Sequence, residues 1–327
     1  MRTFLKLVRW PNLLIVAFTM ILMRYAVIEP VIGKITVSLA GSAGELTPLS
    51  LKFPWYDFLI LVIATVSLTA GGYVINDYFD IRTDIINRGE VIVGTKVPRR
   101  QAMLWHNFLN VTGVACGFYI SWKAGYFWMG ILFLIVSGLL YFYSASYKRQ
   151  FLIGNLVVAV LTALVPLLVV FYEWPALYRY YAVNALSSPD LSIIFYWVGA
   201  FALFAFITTL TREIIKDIED FEGDAAYGRN TVPVVTGILT ARIIAVALTA
   251  ITIIMLFLVW KLFLNDRITL IYITVAVAIP LILVIRHLVT GPGKNNIRSA
   301  SRLMKIAQCT GVLYSVAVKL ILDFNLV

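Results

Sequence analysis

Apolar residues run along this chain in nine blocks, near positions 7–28, 55–78, 102–122, 125–146, 152–172, 191–215, 241–263, 268–288 and 302–322. Each is about 20 residues long, the length an α-helix needs to cross a hydrocarbon layer. The pattern predicts an all-α membrane protein of nine transmembrane helices, bundled as one domain over residues 1–327. The stretches 29–54 and 173–190 are longer than the other connections and carry Gly, Ser and Pro. They are predicted as connecting loops with short interfacial helices. The first block is expected to stay in place rather than be cleaved as a signal, because it is long, lacks an A-x-A-like site and contains Arg24. No segment reads as a soluble domain or a low-complexity tail.

Polar positions break this pattern at two places in the same way. Asn76-Asp77-Tyr78-Phe79-Asp80-Ile81-Arg82-Thr83-Asp84 and Lys216-Asp217-Ile218-Glu219-Asp220-Phe221-Glu222-Gly223-Asp224 share the spacing D-x2-D-x3-D, offset by 140 positions. Each closes a long apolar block. On a continuous helix the three aspartates of each set would share a wedge about 60° wide. Three carboxylates on one stripe repel one another and are costly to keep charged away from water. A stripe of this kind calls for a cation, and two stripes predict a pair of oxygen-liganded divalent ions, most simply Mg²⁺. Of 17 acidic residues, nine lie within 77–84 and 213–224, so the acid is concentrated where the apolar blocks end.

Composition agrees with the membrane reading: 61% of the 327 residues are hydrophobic and 13% charged, about half the charge of a soluble domain. Nineteen of the 27 Lys and Arg residues fall at the N-terminus or in the loops after the second, fourth, sixth and eighth blocks. The N-terminus is therefore expected on the cytoplasmic side of a bacterial or archaeal cell membrane, with the C-terminus outside. Four spans separate the two triplets, an even number. Both triplets then end on the cytoplasmic side, as two parallel pseudo-repeats around one central cavity open to that side. Secondary transporters commonly show inverted repeats instead. The net charge of +10 is accounted for by basic membrane-flanking loops and needs no nucleic acid. Cys116 and Cys309 both lie inside apolar blocks and predict neither a disulfide nor a zinc site. His106 and His287 are read as packed or interfacial residues. No G-x-x-x-x-G-K-[ST] run is present.

Facing carboxylate stripes with Mg²⁺ between them would receive a diphosphate. The metal would also neutralise charge on a departing diphosphate. An allylic diphosphate ionises to a delocalised carbocation and needs no strong protein nucleophile, in keeping with a chain that offers no Ser-His or Cys-His pair. Candidate diphosphate holders are Lys148 and Arg149 after the fourth block, and Arg212, Lys216 and Arg229 around the second triplet. Lys148 stands out because it follows Tyr143 and Tyr147, and Lys216 because it abuts Asp217. Aromatic faces, of which the chain has many, can stabilise a carbocation. A polyisoprenoid tail entering from the lipid bilayer would explain why such an enzyme is embedded at all. No obligate protein partner is evident.

These residues resemble the UbiA superfamily of intramembrane prenyltransferases. Asn76, Asp77, Asp80 and Asp84 match its first aspartate motif, and Asp217, Asp220 and Asp224 its second. Tyr143 with Lys148, Arg9 with Asn12, and Gly154-Asn155 resemble its further polar elements. The resemblance spans nearly the whole chain. It implies a nine-helix bundle around a central cavity, with Asn76 and the six aspartates as catalytic and metal-holding residues. It also implies substrate contacts from Arg9, Asn12, Tyr143, Lys148, Arg212 and Lys216. The activity implied is Mg²⁺-dependent transfer of a prenyl group from its diphosphate to a lipophilic acceptor. The run Arg212-Glu213-Ile214-Ile215-Lys216-Asp217-Ile218-Glu219-Asp220-Phe221-Glu222-Gly223-Asp224 resembles the digeranylgeranylglyceryl phosphate synthase branch, which makes geranylgeranylglyceryl phosphate the expected acceptor. Arg88, Arg99, Arg100, Lys294 and Arg298 are candidates to hold that acceptor's phosphate.

Two other readings stay open at this level. After the first motif the family usually carries Asn-Arg-Pro and a second Arg-Pro before a Gly. Here the run is Asn87-Arg88-Gly89-Glu90-Val91-Ile92-Val93-Gly94, without either proline. An aromatic acceptor of quinone biosynthesis, a hydroxybenzoate or dihydroxynaphthoate, is thus the alternative. A transporter using the acidic stripes as an ion path is the other, with Gly71-Gly72 the nearest thing to a broken helix. A close helix approach is the simpler use of those glycines.

Overall fold

The structure, a computed structural model, describes residues 2–40, 45–88, 91–291 and 293–324, and only the backbone of 87 and 88. Gly89 and Glu90 of the loop without prolines lie outside the described residues. Among those described, eight helices are long and apolar enough to cross a membrane: Trp10–Gly33, Trp55–Phe79, Phe127–Ala145, Ile153–Asn184, Ser192–Glu219, Ile238–Leu264, Arg267–Thr290 and Lys294–Phe324. The block expected as a third span forms the helix Arg99–Lys123. It is equally long but is not one of the eight, because Gln101, His106, Asn107 and Asn110 dilute its apolar surface.

That helix lies along Trp55–Phe79 and also touches the span Phe127–Ala145, and its polar groups are used on both. His106 donates from Nδ1 to the Gly71 carbonyl at 2.9 Å, and Asn110 accepts from Ser137 Oγ at 2.7 Å. A Cβ on Gly71 would sit 2.7 Å from Asn110 Nδ2. The glycine therefore permits a close crossing.

Three spans contain a widened π turn: Met23–Ile28, Trp260–Leu264 and Ile273–Ala278. Two of these are followed, two residues on, by Pro30 and Pro280. Proline removes the N–H that the preceding turn needs and crowds its carbonyl. A π turn absorbs the mismatch without breaking the span.

Both long connections differ from expectation. Within 29–54 the chain forms an antiparallel hairpin, Thr36–Ser38 against Leu46–Pro48, rather than interfacial helices. The stretch 173–190 is not a loop for most of its length, since the helix Ile153–Asn184 runs through it. Glu173, Leu177 and Tyr181 are buried on that helix, and burial of this face carries it past Pro175. The hairpin is tied to the helix end by Ala40 N–H to the Asn184 carbonyl at 2.8 Å and Leu186 N–H to the Ser38 carbonyl at 2.9 Å. Beneath it Arg24 and Glu173 form an ion pair, Nε to Oε2 3.2 Å, with side chains 2% and 0% exposed. Glu173 Oε1 also accepts from the backbone N–H groups of Lys52 and Phe53 at 2.7 and 2.9 Å, and Arg24 donates to the Phe53 carbonyl. Their mutual attraction and the backbone bonds to Glu173 Oε1 and from Arg24 Nη2 offset part of the cost of burying two charges, while Arg24 Nη1 has no hydrogen-bond partner among the described residues.

The apolar core has two main parts. One gathers Met20, Val27, Leu61, Phe133, Val169 and Ile194, and the other Ile214, Val284, Ile297 and Met304. The Ser192–Glu219 helix feeds both, with Ile194 and Val198 in the first and Ile215 and Ile218 in the second. A third cluster, including Leu7, Val74, Val93, Val97 and Ala102, packs under the first aspartate motif.

Candidate active site

Each aspartate motif straddles the end of a span. Asn76 and Asp77 occupy the last turn of Trp55–Phe79, and Asp80 ends it at φ −90° and ψ 1°. The chain then re-enters a helix, Ile81–Arg88, that carries Asp84. Asp217 occupies the last turn of Ser192–Glu219, Asp220 ends it at φ −93° and ψ 8°, and Phe221–Ala226 carries Asp224. The backbone bonds also correspond: Asp80 N–H to the Asn76 carbonyl at 3.0 Å, and Asp220 N–H to the Lys216 carbonyl at 2.8 Å. Asp84 N–H likewise reaches the Asp80 carbonyl at 2.9 Å, and Asp224 N–H the Asp220 carbonyl at 3.1 Å. This corrects the expectation of one straight carboxylate stripe. Both triplets are bent at the middle aspartate, where the helix gives way to a shorter one. A short Asp side chain competes with its own backbone for hydrogen bonds, which favours such helix ends over helix interiors.

The two short helices, Ile81–Arg88 and Phe221–Ala226, pack against each other. Arg229 joins them. It donates from Nη2 to Asp80 Oδ1 at 2.6 Å and to Thr83 Oγ1 at 2.9 Å, and from Nη1 to Asp224 Oδ1 at 3.2 Å. Lys148 reaches the same Asp80 oxygen at 2.7 Å and donates to Asn76 Oδ1 at 3.2 Å. Lys148 sits in a short 3₁₀ turn, Tyr147–Arg149, pressed against the start of Ile153–Asn184. A Cβ on Gly154 would lie 2.7 Å from the Lys148 Cα, so only glycine admits that turn. The next residue, Asn155, donates to Asp217 Oδ2 at 2.8 Å.

Burial and charge set the state of this end. Burial opposes ionisation of Asp80, but the adjacent Lys148 and Arg229 outweigh it and hold the carboxyl below its ordinary range. Burial lowers the Lys148 ammonium to about 8, against the pull of Asp80. Burial likewise pushes Asp224 up to about 6, with Arg229 opposing and the Asp220 and Asp80 charges adding to the rise.

Arg9 lies between the helix Arg2–Leu7 and the first span, with φ 52° and ψ 53°. A non-glycine residue in this left-handed region is uncommon, and the backbone here turns the guanidinium inward. Its Nη2 donates to Asp77 Oδ1 at 2.8 Å, and its guanidinium carbon lies 5.0 Å from the Tyr73 ring centre. Asn12 donates to Tyr73 Oη at 3.2 Å and accepts from Lys305 Nζ at 2.8 Å. Glu213, one turn before the second motif, accepts from Lys216 Nζ at 2.5 Å and lies 3.5 Å from Arg212 Nη1. Tyr143 lies on the span Phe127–Ala145, one turn before the 3₁₀ turn that carries Lys148.

Not every residue named from the sequence joins this centre. Lys294 pairs with Glu222 at 2.7 Å and Arg298 with Glu219 at 3.0 Å, on an exposed flank of the second motif. Arg99 lies over the Tyr78 ring at 4.7 Å. The Arg88 side chain lies outside the described residues. Conversely, sequence reasoning did not single out Tyr73, Thr83, Glu213 or Lys305. Glu213 and Lys305 had a usable signal, an ionisable residue inside an apolar block. Tyr73 and Thr83 had none. Among the described residues, no three His, Cys, Asp or Glu side chains converge tightly enough to cage an ion unaided.

The chain is 36% identical over 222 residues to the digeranylgeranylglyceryl phosphate synthase of Thermococcus gammatolerans, covering 67% of this chain and 71% of that one. A solved structure concerned with digeranylgeranylglyceryl phosphate synthase in membranes superposes at TM-score 0.61 with 22% identity, covering 97% of this chain and 98% of that one. A UbiA homologue from Archaeoglobus fulgidus, solved with GPP and Mg²⁺ bound, superposes at TM-score 0.58 with 17% identity over 97% of this chain and 99% of that one. The UbiA prenyltransferase family model matches residues 39–308. A bundle of apolar helices with two aspartate motifs facing each other at one end is thus this chain's version of a known membrane enzyme, and the chain belongs to the UbiA prenyltransferase family.

Proposed function

We propose that this prenyltransferase transfers a geranylgeranyl group from its diphosphate to geranylgeranylglyceryl phosphate, with Mg²⁺ at the two aspartate motifs. The observation that carries the reading is the joining of both motifs at one end of the bundle through Arg229, beside Lys148. The similarity to digeranylgeranylglyceryl phosphate synthases supports the acceptor, and family membership sets aside a transporter.

The donor set suits Mg²⁺. All seven candidate groups are hard oxygens, and the ion is ordinarily held by one or two carboxylates with substrate phosphates completing the shell. The lack of a self-sufficient carboxylate cage fits that habit. Burial drives Asp224 up to about 6 although Arg229 opposes the rise, and a bound cation would favour its ionised form. Asn76, Asp77, Asp80 and Asp84 would hold one ion and Asp217, Asp220 and Asp224 the other. Bound there, Mg²⁺ neutralises the charge that develops on the leaving diphosphate.

The chain's own residues do the rest. Lys148 and Arg229 meet at Asp80 and would hold the diphosphate. Tyr143, one turn before Lys148, would present a ring face to the allylic cation. Arg212, Lys216 and Lys305, on the Glu213 and Asn12 side, would hold the acceptor phosphate away from the donor. This revises the sequence expectation, since Lys294 and Arg298 are paired on the exposed flank. The allylic C–O bond to diphosphate breaks, the acceptor hydroxyl oxygen bonds to the allylic carbon, and the hydroxyl proton passes to the departing diphosphate. The aspartate end faces the cytoplasm in this reading, supported by the 19 of 27 basic residues on that side.

The test is direct competition. Purified protein with Mg²⁺ and labelled geranylgeranyl diphosphate should prenylate geranylgeranylglyceryl phosphate in preference to 4-hydroxybenzoate or 1,4-dihydroxy-2-naphthoate. Turnover of an aromatic acceptor alone would transfer the enzyme to quinone biosynthesis.

A further inference from the structure

The end of the bundle away from the aspartates carries a basic cavity that prenyl transfer does not use. Its volume is about 480 Å³, and Lys52, Lys123 and Arg179 line it together with Asp57, Tyr56 and Tyr180. Asp57 and Asp77 stand 20 residues apart on one helix, which places the cavity roughly 30 Å from the active site. That is about the thickness of a hydrocarbon layer. The exposed Trp55, Tyr56, Trp122 and Trp128 ring this end in the manner of an interfacial aromatic belt. The mouth therefore opens at headgroup depth.

The charge here is not explained by topology. Basic residues gather at the aspartate end, leaving eight of 27 elsewhere, and three of those eight line this one cavity. Asp57, its side chain 5% exposed, neutralises Lys123 at 2.6 Å. The other two cations rest on ring faces. Lys52 Nζ is 3.8 Å from the Tyr180 ring centre, and the Arg179 guanidinium carbon is 5.1 Å from that of Tyr126. Arg179 also donates to the Ala124 carbonyl at 2.5 Å. Among the described residues no carboxylate pairs with Lys52 or Arg179. A ring face attracts a cation without using up its N–H donors. Below the mouth, Leu59 and Ile63 on one helix and Tyr119 on the next are exposed apolar residues, a surface along which hydrocarbon chains can lie. A second cavity of about 490 Å³, lined by Glu29, Lys34, Lys319 and Asp323, has as many acids as bases and no such bias.

We propose that the Lys52–Lys123–Arg179 cavity binds the phosphate headgroup of an anionic membrane lipid, on the leaflet opposite the active site. The charge selects a phosphate, and the aromatic belt with its apolar flank selects a lipid over a free anion.

Native mass spectrometry of the full-length protein, released from micelles containing phosphatidylglycerol or phosphatidylcholine, tests this. Wild type should retain phosphatidylglycerol over phosphatidylcholine. Lys52→Gln and Arg179→Gln should each weaken retention about fivefold, and the pair by the product. Lys34→Gln with Lys319→Gln should leave retention unchanged. Asp57 keeps Lys123 in all of these proteins, so no buried carboxylate is orphaned. Prenyl transfer at wild-type rate reports that each variant is folded. If the double variant does not fold, Lys52→Gln alone decides, since among the described residues its side chain rests on the rings of Tyr180 and Tyr181 and on no carboxylate. Equal retention of both lipids, or retention unaffected by Lys52→Gln, overturns the proposal. Displacement of phosphatidylglycerol by inorganic phosphate overturns the assignment to a lipid.

Discussion

The two aspartate motifs share a spacing and a backbone bend, yet they keep their carboxylates in different states. In the first, the buried member is Asp80, the middle residue, and two cations converge on one of its oxygens. In the second, the buried member is Asp224, the last residue, which shares Arg229 with Asp80 at the longer distance of 3.2 Å. Asp217, the counterpart of Asp77, accepts from the neutral amide of Asn155, whereas Asp77 accepts from Arg9. The first motif thus has two cations on its buried carboxylate, and the second shares one of them at longer range. Equal sequence spacing gives equal backbone geometry, while the residues that approach from other helices decide the electrostatics.

The largest effect that would test this comparison is on turnover. Asp80→Ala and Asp220→Ala occupy corresponding bends, and each should lower prenyl transfer on the order of a thousandfold or more. The protein should still insert and give one cooperative melt. Near-normal turnover in either variant would show that one motif suffices and that the pairing has no catalytic meaning.

Stability should separate the motifs where activity does not. Asp80→Asn leaves Lys148 and Arg229 close together with no carboxylate between them. Breaking a buried pair in this way costs about 3–5 kcal/mol. Asp224→Asn should do the reverse in metal-free protein. Its folded pKa of about 6 exceeds the unfolded value near 3.9. The folded state therefore favours the protonated form, and the charge destabilises progressively as pH rises from about 4 to 6. Removing that charge should stabilise the protein at pH 7, on the order of 1–3 kcal/mol, and change little below pH 4. Melting temperatures of both variants across this range, without Mg²⁺, give the answer. Destabilisation of Asp224→Asn at pH 7 would mean that the second motif is as well neutralised as the first.

The motifs themselves were legible in the sequence because spacing repeats are local, and so was the membrane fold, because a span announces itself by length and apolarity. What could not be read was where each triplet bends. The wedge geometry assumed a continuous helix, and neither motif contains a proline or an internal glycine at the break. The helices end at Asp80 and Asp220 by a backbone turn at φ near −90° and ψ near 0°, which no residue type at the break announces. The partners were equally hidden. Lys216 abuts Asp217 in sequence but reaches Glu213, because side chains three apart on a helix meet and adjacent ones diverge. Arg229 reads as an ordinary basic loop residue until the fold brings Asp80 and Asp224, 144 positions apart, to its two nitrogens. The third block looked like a span and folded as a more polar helix, since its length was right while His106 and Asn110 serve contacts invisible from the chain alone.

The smallest effect concerns those two lysines, which the sequence treats as equivalent diphosphate holders. Lys148 touches the first motif directly, and Lys216 touches Glu213 beside Arg212. If the two substrates are divided as proposed, Lys148→Met should raise the KM for the prenyl diphosphate about tenfold, the loss of one charge-assisted contact, and leave the acceptor KM nearly unchanged. Lys216→Met should do the opposite, raising the acceptor KM with little change for the donor. Two-substrate kinetics with geranylgeranyl diphosphate and geranylgeranylglyceryl phosphate measure both constants at once. A donor effect of equal size in both variants would place the two lysines on one substrate. The electrostatic contrast between the motifs would then describe the resting protein only, and Arg212 and Lys305 would be left as the acceptor's cations.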